Sequence, residues 1–460
     1  MRRMQAILFV LSVSFFAAAA RAQVATGTPP FGSFSGGPFD TINNGNLNVH
    51  FSIPVVNKAG RGLAFNYNLS YDNSVWYPVG SSGNQSWQPL YNWGWHGWSD
   101  AETGYMAFSS ATTYCTYTPP GGTPQQVPEY VVLNNFIYYD TWGAAHAFPG
   151  ANIIWANSGI CPSGTSTYDV HAVATDGSGY IWNGQNWNLT NPQGYTFQPP
   201  FEVPTGAGSV SDANGNTISN TSSGTFTDTL GLTALTVSGS GTPSSPMTFQ
   251  YTGPGGSATV TMKYTAYTVR TNFGCSGISE KGPTPANLVS EIDLPDDNPS
   301  GARDRYLFNY EQTPGYSGDY TGRLASVTLP TGGSISYAYS GGSNGITCAD
   351  GSTATLTRTV SPGGAWTYAH TESGTAWTTT LTDPGPNQTT FNFQSVTPHR
   401  FHHDADLRDR AAIAGRGGDH LHLLQRGNVQ LQQHHYLPAH YPAHRVDNAR
   451  QPHCGSGHVL

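Results

Sequence analysis

A short turn motif, [DN]-x-x-G-x-[TI], recurs through the middle of this chain of 460 residues and restricts its fold more than any other feature. Copies begin at Asp176, Asn191, Asp212 and Asp228, with successive starts 15, 21 and 16 residues apart, and a copy one residue longer begins at Asp383. The first side chain accepts hydrogen bonds from backbone N–H groups ahead of it, and the glycine adopts the left-handed conformation. Each copy therefore predicts a β-hairpin with short strands.

The segments between the turns have the patterns of strands. Residues 62–71 and 334–339 alternate apolar with small or polar residues, whereas helical periodicity is nearly absent. Dense apolar runs on either side of Asn134 and Asn135 predict another hairpin there. The 55 Gly and 32 Pro are too few and too irregular for collagen, and an aromatic content of 12% is too high for a disordered chain. We expect an all-β protein.

The N-terminus has the pattern of a secretory signal peptide, residues 1–22. Two arginines precede a short apolar run, and an A-x-A sequence ends at Ala22. The leader carries three Arg and residues 398–460 a net charge of +2, so removing both from the formal −8 leaves −13 for residues 23–397. This acidic body argues against nucleic acid and anionic membranes as partners. We expect a secreted or cell-surface protein without a transmembrane segment after cleavage.

Cysteine usage agrees with export. The body contains Cys115, Cys161, Cys275 and Cys348, an even number that favours two disulfides in an oxidising compartment. Of the three possible pairings, Cys115–Cys161 with Cys275–Cys348 is the most local. Since no C-x-x-C pair is present, we expect neither a redox centre nor a zinc site, and no motif indicates a cofactor.

Several longer segments resemble a known repeat. Residues 322–339 have the form G-R-L-x-x-V-x-x-P-x-G-G-x-I-x-Y-x-Y, and residues 288–295 begin a parallel copy. This form resembles the tyrosine-aspartate (YD) repeat of the RHS protein family. Residues 40–49 and 67–72 are similar to the strand-rich opening that precedes such repeats, and residues 92–95 to the Gly-Trp element that follows it. The resemblance covers about residues 35–397.

The resemblance implies strands wound into a hollow shell that encloses a polypeptide. In both of the best copies, however, the dipeptide departs from Tyr-Asp, because Glu311 follows Tyr310 and Ser340 follows Tyr339. No segment resembles the autoproteolytic core or the toxin of the family. We therefore expect a curling sheet of YD-repeat-like antiparallel hairpins at 205–397, preceded by a strand-rich N-terminal β region at 23–204.

An aromatic cluster provides the alternative function, a glycan-binding or glycan-cleaving secreted β domain. Trp93, Trp95 and Trp98 are candidates for stacking on sugar rings, although Trp93 and Trp95 alternate as on one face of a strand, where large aromatic residues usually form core. Catalytic signatures such as G-x-S-x-G and H-E-x-x-H are missing from the sequence, and the five histidines of the body are isolated in sequence. We expect a non-enzymatic shell or interaction protein, whose partner is a cell-surface glycan or an associated polypeptide.

The composition changes abruptly after Thr397. Residues 398–460 hold 11 of the 16 His and no Thr, whereas residues 353–397 contain 14 Thr. Repeated ACC codons for Thr become CAC codons for His in another reading frame, so a frameshift accounts for the change. A genuine low-complexity tail and a metal site are the alternatives, and no defined metal-site spacing is present. We expect this aberrant tail to be mostly disordered, and the protein to be a truncated fragment.

Overall fold

The structure is a computed structural model that describes residues 26–60, 62–156, 166–168, 171–295, 304–395, 423–424 and 429–431. The predicted signal peptide lies outside these residues, as does the tail from residue 398 apart from two short strands. Strands dominate the described chain, which confirms the all-β prediction. Its only α-helix is a single turn, and no helix in the described ranges has the length and apolar character needed to cross a membrane.

The N-terminal region contains eleven strands and the one helix, α1 (Asp100–Thr103). The strands are β1 (Phe34–Gly36), β2 (Asp40–Asn43), β3 (Val49–Lys58), β4 (Phe65–Asp72), β5 (Trp76–Ser81), β6 (Asn84–Pro89), β7 (Trp95–His96), β8 (Tyr105–Tyr117), β9 (Gln125–Tyr139), β10 (Ala145–Ala156) and β11 (Thr167–Tyr168). A tight turn at Tyr91–Gly94 precedes β7.

Strands of two to six residues follow between Ala172 and Ser238, with the copies of the turn motif between them, and most of the later strands are longer. They are β12 (Ala172–Val173), β13 (Ile181–Asn183), β14 (Asn188–Thr190), β15 (Thr196–Gln198), β16 (Gly208–Ser211), β17 (Thr217–Asn220), β18 (Thr225–Thr227), β19 (Thr233–Ser238), β20 (Met247–Gly253), β21 (Gly256–Val269), β22 (Ile278–Ser279), β23 (Thr284–Asp293), β24 (Arg305–Gln312), β25 (Asp319–Thr328), β26 (Ser334–Gly341), β27 (Asp350–Ser361), β28 (Ala365–Ser373), β29 (Ala376–Thr382), β30 (Gln388–Ser395), β31 (Leu423–Leu424) and β32 (Val429–Leu431). A second tight turn lies at Gly342–Gly345.

The turn motif closes hairpins by the expected mechanism. Asp212 Oδ1 accepts the backbone N–H groups of Asn214 at 2.8 Å and Asn216 at 2.9 Å. Gly215 has a φ of +82° and donates its N–H to the carbonyl of Asp212. Asn191, Asp228 and Asp383 accept the equivalent pairs of bonds. The turns therefore follow from local chemistry, as the sequence predicts.

One sheet of 20 strands runs from β12 to β32 and omits only β22. Its sequential neighbours pair antiparallel, and β21 also pairs in parallel with β25 through Thr268–Asp319 and Val269–Tyr320. The strand β16, which follows the predicted domain boundary at 204/205, pairs with β15 before it. The hairpin sheet therefore begins upstream of that boundary and crosses it without interruption.

A five-stranded N-terminal sheet, in the order β1-β2-β3-β4-β7, packs its apolar face against the 20-stranded sheet. Phe51 and Tyr67 lie on this face, and their rings contact Phe308 at 6.3 Å and Phe249 at 5.9 Å between centroids. Ring pairs at such distances stabilise a core beyond the apolar area that they bury. A single core thus joins the N-terminal region to the hairpin sheet.

The remaining strands form two smaller sheets, β11-β10-β9-β8 and β22-β6-β5. The hairpin expected at Asn134–Asn135 is wrong, because β9 continues through both residues. Asn134 pairs with Ser109 on β8 and with Asn152 on β10, so pairing on both sides keeps the strand extended. Asn135 has a φ of +54° where the register shifts, and the pair therefore forms an irregularity within a strand.

Candidate functional site

A cavity of about 560 Å³ lies between the N-terminal region and the hairpin sheet. Its size is within the range of about 300–1,000 Å³ that is usual for small-molecule sites. Five aromatic side chains line it: Trp76, Tyr77, Trp87, Tyr339 and Trp377. The charged or titratable residues along its wall are Arg323, His370 and Glu372.

Arg323 is fully engaged at the wall of this cavity. Its Nε lies 2.7 Å from Glu311 Oε2 and its Nη2 lies 2.9 Å from Glu311 Oε1, a bidentate pair. The guanidinium also donates to the carbonyls of Asn344 and Gly345 and lies 4.1 Å from the ring centroid of Tyr339. Because the Glu311 carboxylate neutralises this charge, the cavity offers no free cation at Arg323 to an anionic ligand.

Tyrosine hydroxyls connect successive strands near the same site. Tyr310 Oη donates to the carbonyl of Val289 at 2.7 Å, and Tyr339 Oη donates to the carbonyl of Leu324 at 2.8 Å. Both tyrosines end a copy of the long repeat, and both acceptors lie in the segment that begins it. The repeat therefore has a physical role, since its tyrosine fixes its own first strand.

The Cys275–Cys348 disulfide lies beside the cavity, with a Cα–Cα distance of 5.4 Å. It joins residues 73 positions apart and is one of the two local pairings expected from the sequence. Cys115 is also disulfide-bonded. Cys161, its expected partner, lies outside the described residues.

The candidate glycan-stacking residues lie elsewhere. Trp95 is only 2% exposed and its ring contacts Phe308 at 5.0 Å, so it is a core residue with no free face for a sugar. Trp93 and Trp98 are partly buried against the core. Trp93 is also not on a strand, since it lies in the turn before β7 with a φ of +55° and its ring packs edge-on against Trp76. Glycan binding by Trp93 or Trp98 stays a prediction.

A buried histidine–aspartate network, which sequence analysis missed, crosses the N-terminal sheet. Asp72 lies 3.1 Å from His50 Nδ1 and 3.3 Å from His96 Nε2, and His96 Nδ1 lies 2.9 Å from Asp100. Burial alone would lower the pKa of His96, but Asp100 and Asp72 raise it to about 10. His96 is therefore protonated at neutral pH and bridges the carboxylates of Asp72 and Asp100.

A second pair of carboxylates holds His146. Its Nδ1 lies 2.5 Å from Asp176 and its Nε2 lies 3.3 Å from Asp140. Burial opposes protonation of His146, yet the two carboxylates raise its pKa to about 9. Asp176 belongs to the first turn motif and Asp140 to the turn before β10, so this ion pair fixes the start of the hairpin sheet to the N-terminal region.

His96 and His146 are protonated at neutral pH, a form in which an imidazole cannot accept a proton as a general base. His370 Nδ1 lies 2.8 Å from Thr379 Oγ1, but this hydroxyl donates its proton to the carbonyl of Asn44. Within the described ranges, no group of three or more His, Cys, Asp or Glu side chains is arranged to hold a metal ion.

Comparison with known proteins adds no family to this description. No protein-family model matches the chain, and no curated protein matches it either.

Proposed function

We propose that this chain is an exported, non-enzymatic β scaffold of the YD-repeat type, in which an array of hairpins encloses polypeptide segments. One observation carries the proposal. The apolar face of the 20-stranded sheet is covered by strands of the same chain, which contribute Phe51, Tyr67 and Tyr71 to a core shared with Phe249 and Phe308. A sheet of short hairpins cannot bury its own apolar face, so it needs such an enclosed segment.

The Glu311–Arg323 pair supports the likeness to a YD repeat. Glu311 follows Tyr310 at the place of the aspartate, and Arg323 belongs to the G-R-L element of the next copy. The acid of one copy therefore binds the arginine of the next. This arrangement gives the repeat a reason for carrying an acid after its tyrosine, and it makes the departure from Tyr-Asp a conservative one.

The charge of the histidines supports a non-enzymatic role. His96 and His146 each lie between two carboxylates that keep them protonated. Buried, paired groups of this kind stabilise a structure more readily than they turn over a substrate.

Substitution of Glu311 tests the repeat assignment. We expect Glu311→Asp to keep the free energy of unfolding within about 1 kcal/mol of the wild type, because the carboxylate can still meet Arg323. Glu311→Gln removes the charge and leaves a buried guanidinium uncompensated, which costs about 3 kcal/mol. If urea unfolding showed the same loss of unfolding free energy in both variants, this support for the YD likeness would be removed.

Export is tested by the mass of the protein recovered outside the cytoplasm. The proposal predicts a product that begins at Gln23, with the cysteines at 275 and 348 oxidised. Recovery of only an uncleaved, reduced chain from the cytoplasm would contradict it.

A further inference from the structure

A shallow depression of about 310 Å³ lies on the N-terminal sheet, separate from the larger cavity. Phe39 and Trp142 line it and are 46% and 45% exposed. Other aromatic side chains, such as Tyr91 and Tyr114, are as exposed, but they do not line this depression. Two exposed rings beside one depression indicate a surface that is used for contact.

The floor of the depression is polar because of the strand register. Thr41 on β2 pairs directly with His50 on β3, and Ser52 lies two residues further along, so all three share one face of the sheet. The hydroxyls of Thr41 and Ser52 have no hydrogen-bond partner among the described residues, and the same holds for Thr28, which also lines the depression. His50 is 5% exposed, and its Nε2 is unpartnered there.

The backbone at the rim of the depression is held in place on both sides. The N–H of Trp142 donates to Asp140 Oδ1 at 2.9 Å, and Thr26 Oγ1 donates to the carbonyl of Gly143 at 2.6 Å. On the other side, Phe39 precedes Asp40, whose carboxylate is bound by Arg358. The backbone that carries the two rings is therefore fixed before a ligand binds, which lowers the entropy cost of binding.

The charges around the depression are compensated. Asp40 is paired with Arg358, and Asp72, which lies behind His50, is paired with His50 and His96. The body as a whole carries a net charge of −13, which disfavours an anionic ligand. The ligand that fits is neutral, has an apolar face for the rings and carries groups that both donate and accept hydrogen bonds.

We propose that this depression binds a neutral saccharide, with a sugar ring against Trp142 and Phe39 and its hydroxyls on Thr28, Thr41, Ser52 and His50. Hydroxyl groups satisfy both donors and acceptors on the floor, while the C–H face of the ring covers the aromatic surface. This inference goes beyond the scaffold role and does not depend on it. It also moves the expected glycan contact from Trp93, Trp95 and Trp98 to a pair of exposed rings.

The test uses the full chain and a panel of neutral oligosaccharides built from glucose, mannose, xylose or N-acetylglucosamine, with titration calorimetry as the readout. We expect at least one of them to bind. Trp142→Ala should weaken that binding about tenfold, and Ser52→Ala should weaken it by a smaller factor. Trp155→Ala is the matched control, because Trp155 is also exposed, at 40%, but lies outside the depression.

Urea unfolding of each variant separates lost binding from lost structure. Trp142→Phe provides a second check, since it retains an aromatic face and should recover most of the affinity. The proposal is overturned if no oligosaccharide of the panel binds at millimolar concentration, or if Trp155→Ala weakens binding as much as Trp142→Ala. Trp142-dependent binding of unglycosylated peptides in place of oligosaccharides would overturn the assigned ligand class as well.

Discussion

Asp40 and Arg358 form a bidentate ion pair across 318 positions of the chain. Arg358 Nε lies 2.6 Å from Asp40 Oδ2 and Nη2 lies 2.5 Å from Oδ1, while the two side chains are 0% and 2% exposed. Tyr337 Oη donates a further hydrogen bond to the same carboxylate. The pair joins the second strand of the N-terminal sheet to β27 of the hairpin sheet, so it links the two parts of the core.

Removing one partner of this pair should destabilise the protein strongly. We expect Arg358→Met to reduce the free energy of unfolding by about 3–5 kcal/mol, because Asp40 is left buried without a counter-charge. The double variant Asp40→Asn with Arg358→Met should be destabilised less than Arg358→Met alone, because no unpaired carboxylate is then buried. Urea unfolding of the wild type, Arg358→Met, Asp40→Asn and the double variant gives all four free energies. If the loss in the double variant equals the sum of the two single losses, the two residues do not depend on each other.

Stability should fall at alkaline pH because of His96 and His146. Their pKa values in the folded protein are about 10 and about 9, above the usual value of 6.5 that applies when the chain is unfolded. Their contribution is complete below pH 6.5, decreases above it, and is lost once the pH passes the folded pKa values. The melting temperature should therefore drop between pH 7 and pH 10, by less in His96→Gln. If the melting temperature of His96→Gln fell with pH as steeply as that of the wild type, His96 would be excluded as a source of the pH dependence.

Substitutions at two glycines should destabilise the protein by different amounts, because the space around the two residues differs. Both Gly27 and Gly231 have positive φ, +65° and +74°. A Cβ at Gly27 would lie 2.3 Å from the backbone nitrogen of Ala144, whereas at Gly231 nothing lies within 4 Å. We expect Gly231→Ala to cost about 1–2 kcal/mol from backbone strain alone, and Gly27→Ala to cost clearly more. Similar losses in thermal unfolding would mean that the N-terminal segment at Thr26 and Gly27 adjusts freely.

The Cys275–Cys348 disulfide should contribute to the free energy of unfolding, because the loop that it closes restricts the unfolded chain. A separation of 73 residues corresponds to about 4 kcal/mol in the chain-entropy account of disulfide stabilisation. We expect the variant with both cysteines changed to Ala to have a free energy of unfolding that is lower by an amount of this order. Denaturant unfolding under non-reducing conditions measures it. A loss near zero would mean that the loops at 275 and 348 are held by their other contacts. The double variant is preferable to a reductant, since Cys115 is disulfide-bonded too.

The hairpins were predictable from sequence because their chemistry is local. Asp212 and Gly215 act within one turn, and the hydrogen bonds that define it connect residues no more than four positions apart. The prediction of a hairpin at Asn134–Asn135 was wrong because non-local contacts decide the structure there. There, pairing with strands on both sides outweighs the turn preference of two asparagines.

The charged networks were not predictable because their members are distant in sequence. His50 and Asp72 become neighbours only through the register of β3 and β4, and His96 joins them when β7 pairs with β4. Trp93 illustrates the same limit. Its spacing from Trp95 suggests a shared strand face, but an unexpected tight turn places Trp93 before the strand begins. The aromatic pair Phe39 and Trp142 carried no sequence signal, since their proximity arises from two separate turns.

The enclosure of the N-terminal strands by the hairpin sheet is tested most directly by cutting the chain between them. A recognition sequence for a site-specific protease, inserted between Cys161 and Ser166, allows cleavage without breaking a pairing of Cys115 with Cys161. We predict that the two parts stay together after cleavage and elute from a sizing column with the mass of the intact protein. Separation of the parts at micromolar concentration would contradict a shared core built across Asp40 and Arg358.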